Sequence, residues 1–417
     1  MKVLIYSANY APEPTGIGKY SGEMAEWLAA KGHEVRVVAA PPYYPQWSVD
    51  PRYAGWRYRR ENMHGVDVWR APLWVPSRPG GIKRVVHLLS FALTSAPLML
   101  RQVFWAPDVV LTIAPALACA PVGWLTARLC GAQAWLHVQD FEVDVAFQMN
   151  LLKGRRSRAL AQWAESRLFK MFDKVSTISN KMVDKLLKKG VTSDAVELFP
   201  NWVDITGVRP LSAASTYRDE LGLLPDQKVI LFSGTWGAKQ DLLQIPAVAQ
   251  QLQHRQDIVF VICGDGVMRP QIEAACVGLP NVRLLPLQPL ERLGDLLGLA
   301  DLHLLTQSAD AEDLVLPSKL TGMLASGKPI VATCRPDTEM GQVVSRCGKI
   351  VAPGNAQALT DVILQCVADP VQMTEWGAQA RAYAEHSLAK DSILLRWLFA
   401  AEQATVTLPV AAKRETP

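Results

Sequence analysis

Residues 310–334, DAEDLVLPSKLTGMLASGKPIVATC, predict a loop, a short helix and a buried strand in succession. Ser318 suits the N-cap of a helix over about 318–325, where its hydroxyl can accept a free backbone N–H. Gly327 can end this helix with a positive φ, and Pro329 prevents it from resuming. The apolar residues that follow suit the centre of a parallel sheet. The stretch therefore indicates an α/β fold.

The start of this predicted helix also has the features of an anion site. Lys319 would lie in the first turn, where unbonded N–H groups and the helix dipole favour phosphate. Residues 322–328 match the first seven positions of a P-loop, but Pro329 replaces the Ser or Thr and the loop precedes its strand. We reject a Walker site and interpret Ser318 and Lys319 as candidate phosphate contacts. The alternative is an ordinary capped helix.

Composition indicates a compact protein. Of 417 residues, 49% are hydrophobic and 20% charged, which suits two domains with large cores. The net charge of +4 does not point to nucleic acid as a partner. The seven cysteines form no CxxC pair, so we expect reduced thiols of a cytoplasmic protein and no metal site.

Two apolar segments could be mistaken for targeting or membrane segments. The N-terminus runs straight into a short apolar strand, so we predict no signal peptide. Residues 109–127 carry no charge but include two prolines and a glycine. We interpret them as a buried strand, a loop and a core helix, not as a membrane span.

Strands and helices alternate in both halves of the chain. A βαβ unit covers residues 2–40, and later strands at 228–233, 258–263 and 302–306 open a second series. We predict an α/β protein with two doubly wound Rossmann-like domains facing a central cleft. The predicted segments are a first domain (1–200), a second domain (201–386), a helix packing back on the first domain (387–403) and a polar tail (404–417).

Gly16 and Gly18 belong to a long loop after the first strand. The pattern is similar to a dinucleotide fingerprint, but Ser21 replaces the third glycine and no acidic residue follows the second strand. We interpret the segment as a flexible glycine loop at the carboxyl end of a strand, where open α/β sheets bind ligands.

A polar pair is predicted at the end of the strand 133–138. His137 lies near the carboxyl end of that strand, and Asp140 follows it by three residues in an acidic continuation. We interpret His137 and Asp140 as candidate catalytic residues in a cleft. The alternative is a structural histidine.

Residues 41–84 combine aromatic and basic side chains ahead of the apolar stretch 85–104. Between residues 52 and 84 there are eight basic and two acidic side chains. This combination suits an anionic membrane surface, and the alternative is a solvated edge whose tryptophans pack inward. The predicted membrane contacts are Arg57, Arg59, Arg60, Lys83 and Arg84.

Three loops of the second half would meet at one edge of its sheet, namely 234–239, 264–266 and 313–319. Two glycine turns, two lysines and a helix N-terminus can hold a diphosphate without a metal. No clean Asp-x-Asp follows a strand, which disfavours a metal-dependent sugar transferase. The candidate donor-binding residues are Gly16, Gly18, Gly234, Lys239, Gly264, Asp265, Gly266, Asp313, Ser318 and Lys319.

Five motifs carry a resemblance that covers nearly the whole chain. They are PTGIGKYSGEMAEWLAAKGHEV (14–35), FPNWVD (199–204), SGTWGAKQ (233–240), CGDG (263–266) and LPSKLTGMLASGKPIV (316–331). With them the chain resembles the GT-B glycosyltransferases of family 4. Residues 16–47 are most similar to the branch that acts in colanic acid biosynthesis.

The resemblance implies a retaining, metal-independent hexosyltransferase without a cofactor. It would move a sugar, fucose from GDP-fucose in the most similar branch, from a nucleotide-diphosphate donor to a lipid-linked glycan in exopolysaccharide biosynthesis. The first domain would bind the acceptor and the second the nucleotide sugar. His137 would contact the donor sugar and Lys239 the diphosphate. We therefore expect a cytoplasmic enzyme at the inner face of the plasma membrane.

The chain departs from the family pattern at the donor site. Thr235 stands where the family usually has an arginine, and the paired family glutamates would fall at Leu314 and Gly322. Asp313 is the candidate substitute for the first glutamate, and Ser318 with Lys319 could supply the lost phosphate contacts. The ribose-binding residue stays open.

Two mechanisms and two rival functions follow from these residues. In a front-face displacement, a donor phosphate oxygen takes the acceptor proton while the protein positions the substrates and stabilises the leaving diphosphate. A double displacement would need a carboxylate nucleophile, for which Asp140 is the best candidate. The rival functions are a sugar-nucleotide epimerase of the same fold and a non-catalytic scaffold that binds sugar nucleotides.

Overall fold

The chain divides into two compact units, Met1–Pro200 together with the segment from Leu394, and Asn201–Ile393. The computed structural model describes residues 1–77, 80–115, 117–144, 154–237, 240–308 and 317–407.

The described residues of the first unit contain an eight-stranded sheet. Its strands are β1 (Lys2–Ser7), β2 (Glu34–Ala39), β3 (Arg59–Met63), β4 (Val66–Arg70), β5 (Val109–Ala114), β6 (Gln133–Val138), β7 (Lys174–Thr177) and β8 (Val196–Leu198). They lie in the order β3-β4-β2-β1-β5-β6-β7-β8. The order reverses direction between β1 and β5, so this is the switch point at which doubly wound sheets bind ligands.

Helices among the described residues connect the parallel strands of the first unit. They are α1 (Gly16–Ala30), α2 (Gly81–Arg101), α3 (Ala120–Cys130), α4 (Arg155–Phe169) and α5 (Asn180–Lys188). The predicted strand and helix within 109–127 are confirmed: β5 is buried throughout, and α3 follows it but buries only one face. Within the described parts of the chain, none of the helices combines the length and the hydropathy needed to cross a bilayer.

The hairpin of β3 and β4 is a feature that the sequence analysis missed. The two strands pair antiparallel from Arg59–Arg70 to Met63–Val66, and β4 continues the sheet in parallel with β2. His64 and Gly65 form the turn with φ values of 48° and 85°. Two residues with positive φ make the tight turn that suits the twist of a hairpin.

The described residues of the second unit contain a six-stranded parallel sheet. Its strands are β9 (Lys228–Thr235), β10 (Ile258–Asp265), β11 (Val282–Leu285), β12 (Leu302–Leu305), β13 (Ile330–Thr333) and β14 (Gly348–Val351). Their order is β11-β10-β9-β12-β13-β14. This is the Rossmann order, with the switch point between β9 and β12. The prediction of two Rossmann-like domains is confirmed.

Helices cover the second sheet and continue to the end of the described chain. They are α6 (Tyr217–Glu220), α7 (Gln244–Gln251), α8 (Arg269–Cys276), α9 (Leu293–Gly298), α10 (Ser318–Ala325), α11 (Glu339–Cys347), α12 (Ala356–Ala368), α13 (Pro370–Tyr383) and α14 (Lys390–Thr407). In α14, the ring of Trp397 packs 5.4 Å from Trp135 and 6.2 Å from Phe199. Residues 408–417 of the predicted polar tail lie outside the described residues.

Helix α10 forms where the sequence predicts it, but its first turn differs from the prediction. Pro317 is the N-cap, and no side chain caps the helix. Ser318 is therefore the first helical residue and not the cap, because the extended Pro317 already precedes the helix. At the other end, Gly327 has the predicted positive φ, at 69°.

Candidate donor site and the carboxyl edges of the two sheets

Three glycines allow two backbone turns to pack closely at the carboxyl edge of the second sheet. Gly234 and Gly264 pair across the ends of β9 and β10. A Cβ on Gly264 would lie 1.9 Å from the carbonyl oxygen of Gly234, and one on Gly266 would lie 2.4 Å from that of Trp236. No side chain fits between these two turns, so glycine is required there.

Lys319 reaches this glycine turn from helix α10. A Cβ on Gly234 would lie 3.2 Å from Cδ of Lys319. The ammonium nitrogen lies 4.7 Å from the centre of the Phe232 ring, where it is buried and has no hydrogen-bond partner among the described residues. Burial lowers the pKa of Lys319 to about 8. Lys319 lies in the first turn of the helix, as the sequence predicts, but its ammonium group is buried against the end of β9.

A buried ammonium without a partner is costly, and such groups persist where a ligand completes them. Lys319 lies next to the switch point of a Rossmann sheet and next to a glycine turn. Ser318 is exposed in the same first turn. This arrangement can supply one positive charge and free backbone N–H groups to a phosphate oxygen.

Asp265 stabilises the turn after β10. Its Oδ1 accepts hydrogen bonds from the backbone N–H of Gly266 at 2.7 Å and from Nε of Arg269 at 2.8 Å. The bond to the Arg269 side chain lowers the pKa of this carboxyl. Lys239 and Asp313, the other two predicted charged contacts, lie outside the described residues.

His137 is a buried, neutral residue of strand β6. Its Nδ1 lies 2.9 Å from Oγ of Ser176, which also accepts a hydrogen bond from Nε1 of Trp135 at 2.8 Å. Burial lowers the pKa of His137 to about 3. The ring can therefore hydrogen-bond to a substrate but is not charged near pH 7. Asp140 is exposed, two residues beyond the end of the strand.

Glu13, which the sequence analysis did not single out, is a buried carboxylate in the loop that follows β1. Its Oε1 accepts hydrogen bonds from the backbone N–H groups of Tyr43 at 3.1 Å and Tyr44 at 3.0 Å. Its Oε2 accepts one from Nδ2 of Asn9 at 2.9 Å. A Cβ on Gly18 would lie 2.6 Å from that oxygen, so this glycine makes room for Glu13.

Arg70 at the end of β4 is a second residue that the sequence analysis missed. Its side chain is fully buried, and Nε donates to Oε1 of Glu61 at 2.7 Å. The other guanidinium nitrogens donate to the carbonyl oxygens of Ala40 at 2.9 Å and Ala11 at 2.6 Å. Arg70 thus joins the loops that follow β1 and β2.

The five predicted membrane contacts divide into two groups. Arg60 makes a bidentate ion pair with Asp67 at 2.8 and 2.9 Å, and Arg59 donates to two backbone carbonyls. Arg57 and Lys83 are exposed, and Arg84 is half-buried. Next to Lys83 and Arg84, helix α2 and the turn after it expose a row of apolar side chains: Val85, Val86, Leu89, Leu93, Leu100 and Phe104.

Within the described parts of the chain, no three His, Cys, Asp or Glu side chains lie together as metal ligands would.

Residues 15–202 match the family described as Glycosyl transferase 4-like domain, and residues 227–369 match Glycosyl transferases group 1. Over 408 residues the chain is 42% identical to WcaI of Escherichia coli (strain K12), which is assigned to colanic acid biosynthesis as a glycosyl transferase. The alignment covers 95% of this chain and 99% of that protein.

The chain belongs to the GT-B glycosyltransferases of family 4. A second relative, the GDP-mannose-dependent alpha-mannosyltransferase of Mycolicibacterium smegmatis, is 26% identical over 95% of this chain and 93% of its own length. Among solved structures, sucrose-phosphate synthase from Thermosynechococcus elongatus has a TM-score of 0.73 at 15% identity, over 97% of this chain and 99% of that one. Anabaena HepE in complex with UDP has a TM-score of 0.68 at 17% identity, over 97% and 100%. These two likenesses show the fold.

Proposed function

We propose that this glycosyltransferase moves a sugar from a nucleotide-diphosphate donor to a lipid-linked glycan in exopolysaccharide biosynthesis, with retention of configuration. The observation that carries the proposal is the buried ammonium of Lys319 beside the turns of Gly234 and Gly264. This charge has no protein partner among the described residues, and a diphosphate would supply one. The 42% identity to WcaI supports colanic acid, or a similar polymer, as the product.

GDP-fucose is the first donor to test. One relative is named for its dependence on GDP-mannose, which shares the GDP group. HepE was solved with UDP, so the fold itself accommodates more than one base. In the second unit, Gly234, Gly264, Gly266, Ser318 and Lys319 would hold the diphosphate, while Asp265 shapes the turn.

The chemistry proposed is a front-face displacement. Burial lowers the pKa of His137 to about 3, which makes it a poor base, so it would orient the donor sugar by a hydrogen bond. The acceptor proton would then pass to an oxygen of the donor phosphate as the bond between sugar and phosphate breaks. Lys319 would stabilise the negative charge that develops on the leaving diphosphate. A covalent intermediate on Asp140 is the competing mechanism.

A donor panel followed by product analysis tests the proposal. GDP-, UDP-, ADP- and dTDP-sugars are screened by thermal shift, and the donor that binds is incubated with lipid-linked acceptors from an exopolysaccharide-producing cell, with and without EDTA. We expect transfer with retained anomeric configuration that EDTA does not abolish. An epimerised sugar nucleotide as the product would support the epimerase, and binding without turnover would support the scaffold. Loss of activity in EDTA that manganese or magnesium restores would refute metal independence.

The exposed apolar row of α2 and its neighbouring cations support contact with an anionic bilayer. The membrane proposed is the inner face of the plasma membrane, in a cell that makes the lipid-linked acceptor there. Basic residues near such a surface contribute about 1 kcal/mol each, and the attraction decays within about 8–10 Å at physiological salt. Because Arg59 and Arg60 bond within the protein, the test should target the apolar row. We expect wild type to sediment with anionic vesicles at low salt and to be released by high salt.

Leu93→Ser should weaken this sedimentation about 10-fold or more, since burying one leucine side chain contributes about 1.5–3 kcal/mol and each 1.4 kcal/mol is about tenfold. Leu93 is 75% exposed, and the matched control is Leu287→Ser in the second unit, where the side chain is 70% exposed. Equal sedimentation of both variants and wild type would assign α2 to a solvated face. Sedimentation with neutral vesicles would exclude the electrostatic contribution.

A further inference from the structure

Tyr44 is an exposed aromatic residue that follows β2, at the carboxyl edge of the first sheet. Its side chain is 39% exposed, whereas the neighbouring Tyr43 is buried. A Cβ on Gly16, the first residue of α1, would lie 3.8 Å from Cε1 of the Tyr44 ring. One edge of the ring thus rests on the start of α1, beside the ligand-binding switch point of a doubly wound sheet.

The backbone below this ring is fixed by Glu13. The carboxylate accepts hydrogen bonds from the N–H groups of both Tyr43 and Tyr44, and its second oxygen accepts from Asn9. Gly18 allows Glu13 to approach this closely. Burial raises the pKa of this carboxyl, so the group is expensive to hold in place. A residue that is costly for stability and fixes an exposed ring is typical of a preorganised binding site.

The rest of the loop is held by aromatic packing. The Trp47 ring lies 5.8 Å from Tyr43 and 5.4 Å from His87, and Trp47 has a positive φ of 52°. Such a backbone conformation is unfavourable for a bulky residue and is kept only where its surroundings enforce it. The loop after β2 therefore presents Tyr44 on a rigid base.

We propose that Tyr44 is the stacking platform for a pyranose ring of the glycan acceptor, and that Glu13 is its positioning residue. The inference rests on the proposed glycosyl transfer, since a glycan acceptor must be bound by the enzyme. The apolar face of a pyranose stacks on an aromatic ring, and a ring with few rotatable bonds loses little entropy on binding. Glu13 acts through the backbone N–H groups of Tyr43 and Tyr44 and does not touch the sugar.

The test uses methyl glycosides of galactose, glucose, fucose and mannose as soluble probes, with binding measured by saturation-transfer NMR. We expect wild type to bind at least one probe, Tyr44→Ala to weaken that binding about 3- to 10-fold, and Tyr44→Phe to retain it. Trp163→Ala is the matched control, because Trp163 is an exposed aromatic residue of α4 in the same unit. It should bind the probe as wild type does.

Glu13→Gln separates positioning from contact. Its amide oxygen can still accept from the two backbone N–H groups, but its NH₂ group would face the NH₂ group of Asn9. We expect weaker probe binding with unchanged donor affinity. Probe binding by Tyr44→Ala at wild-type strength, or by no form of the protein, would overturn the inference. A donor panel without any binding would instead refute the proposed function, so the two failures are distinguishable.

Discussion

Lys319→Met is expected to weaken donor binding about 10- to 100-fold while it makes the donor-free protein more stable at pH 7. The loss of affinity follows from the removal of a charge-assisted hydrogen bond to phosphate. The gain in stability follows from the removal of a buried charge for which the described part of the chain supplies no hydrogen-bond partner. Calorimetry with the donor and thermal unfolding without it measure the two effects separately.

The pH dependence of this gain is determined by the pKa of Lys319. The pKa is about 8 in the folded protein against an ordinary value of 10.5. The unfolded chain therefore holds the proton more tightly, and each pKa unit of difference costs about 1.4 kcal/mol of stability below pH 8. This cost declines as the pH rises from about 8 towards 10.5. The stability difference between wild type and Lys319→Met should shrink over the same range, and donor affinity of wild type should fall above pH 8.

Lys328→Met is the matched control for this variant. Lys328 follows Gly327 at the other end of the same motif, and burial lowers its pKa as well. Lys319, and not Lys328, lies next to Gly234. Replacement of Lys328 should therefore leave donor affinity unchanged. If both variants bound the donor as wild type does, the phosphate site would have to lie elsewhere.

The architecture could be predicted because its signals are local. Apolar runs marked β1, β9 and β13, and the structure has these strands where the sequence predicts them. The hairpin of β3 and β4 was missed because β3, the exposed edge strand, carries arginine, glutamate and asparagine. The two-residue turn of His64 and Gly65 was the signal that could have indicated it.

The sequence indicates where the candidate sites lie, but not which of their charged side chains are buried. Glycine turns and the start of helix α10 can be predicted from the sequence, whereas the burial of a particular side chain cannot. Lys319 is buried because Phe232 of β9 lies against it, and Glu13 is buried because Tyr43 and Tyr44 close over it. These partners are distant in sequence, and no periodic pattern relates them. The burial of a charged side chain is therefore the property of a site that only the folded structure reveals.

Arg70→Met is expected to destabilise the first unit by about 2–5 kcal/mol, because it removes a fully buried guanidinium that pairs with Glu61 and donates to two backbone carbonyls. The variant keeps most of the side-chain volume but removes the hydrogen bonds to Glu61, Ala40 and Ala11. The buried carbonyl oxygen of Ala40 and the partly buried one of Ala11 would lose their donor, and such a loss costs about 1–3 kcal/mol for a buried group. Thermal and denaturant unfolding measure the effect. Because the loops after β1 and β2 lose their common anchor, probe binding at Tyr44 should weaken as well.

Arg60→Met provides the control on the neighbouring strand. Arg60 also makes a bidentate ion pair, with Asp67, but its side chain is 59% exposed whereas that of Arg70 is 0% exposed. Asp67 keeps its ion pair with Arg36 at 3.2 Å once Arg60 is gone, so this change should cost no more than about 1 kcal/mol. Donor affinity, which we place in the second unit, should be unchanged in both variants while the protein remains folded. Equal destabilisation by the two substitutions would show that burial is not what makes Arg70 important, and that the anchoring of the two loops has another origin.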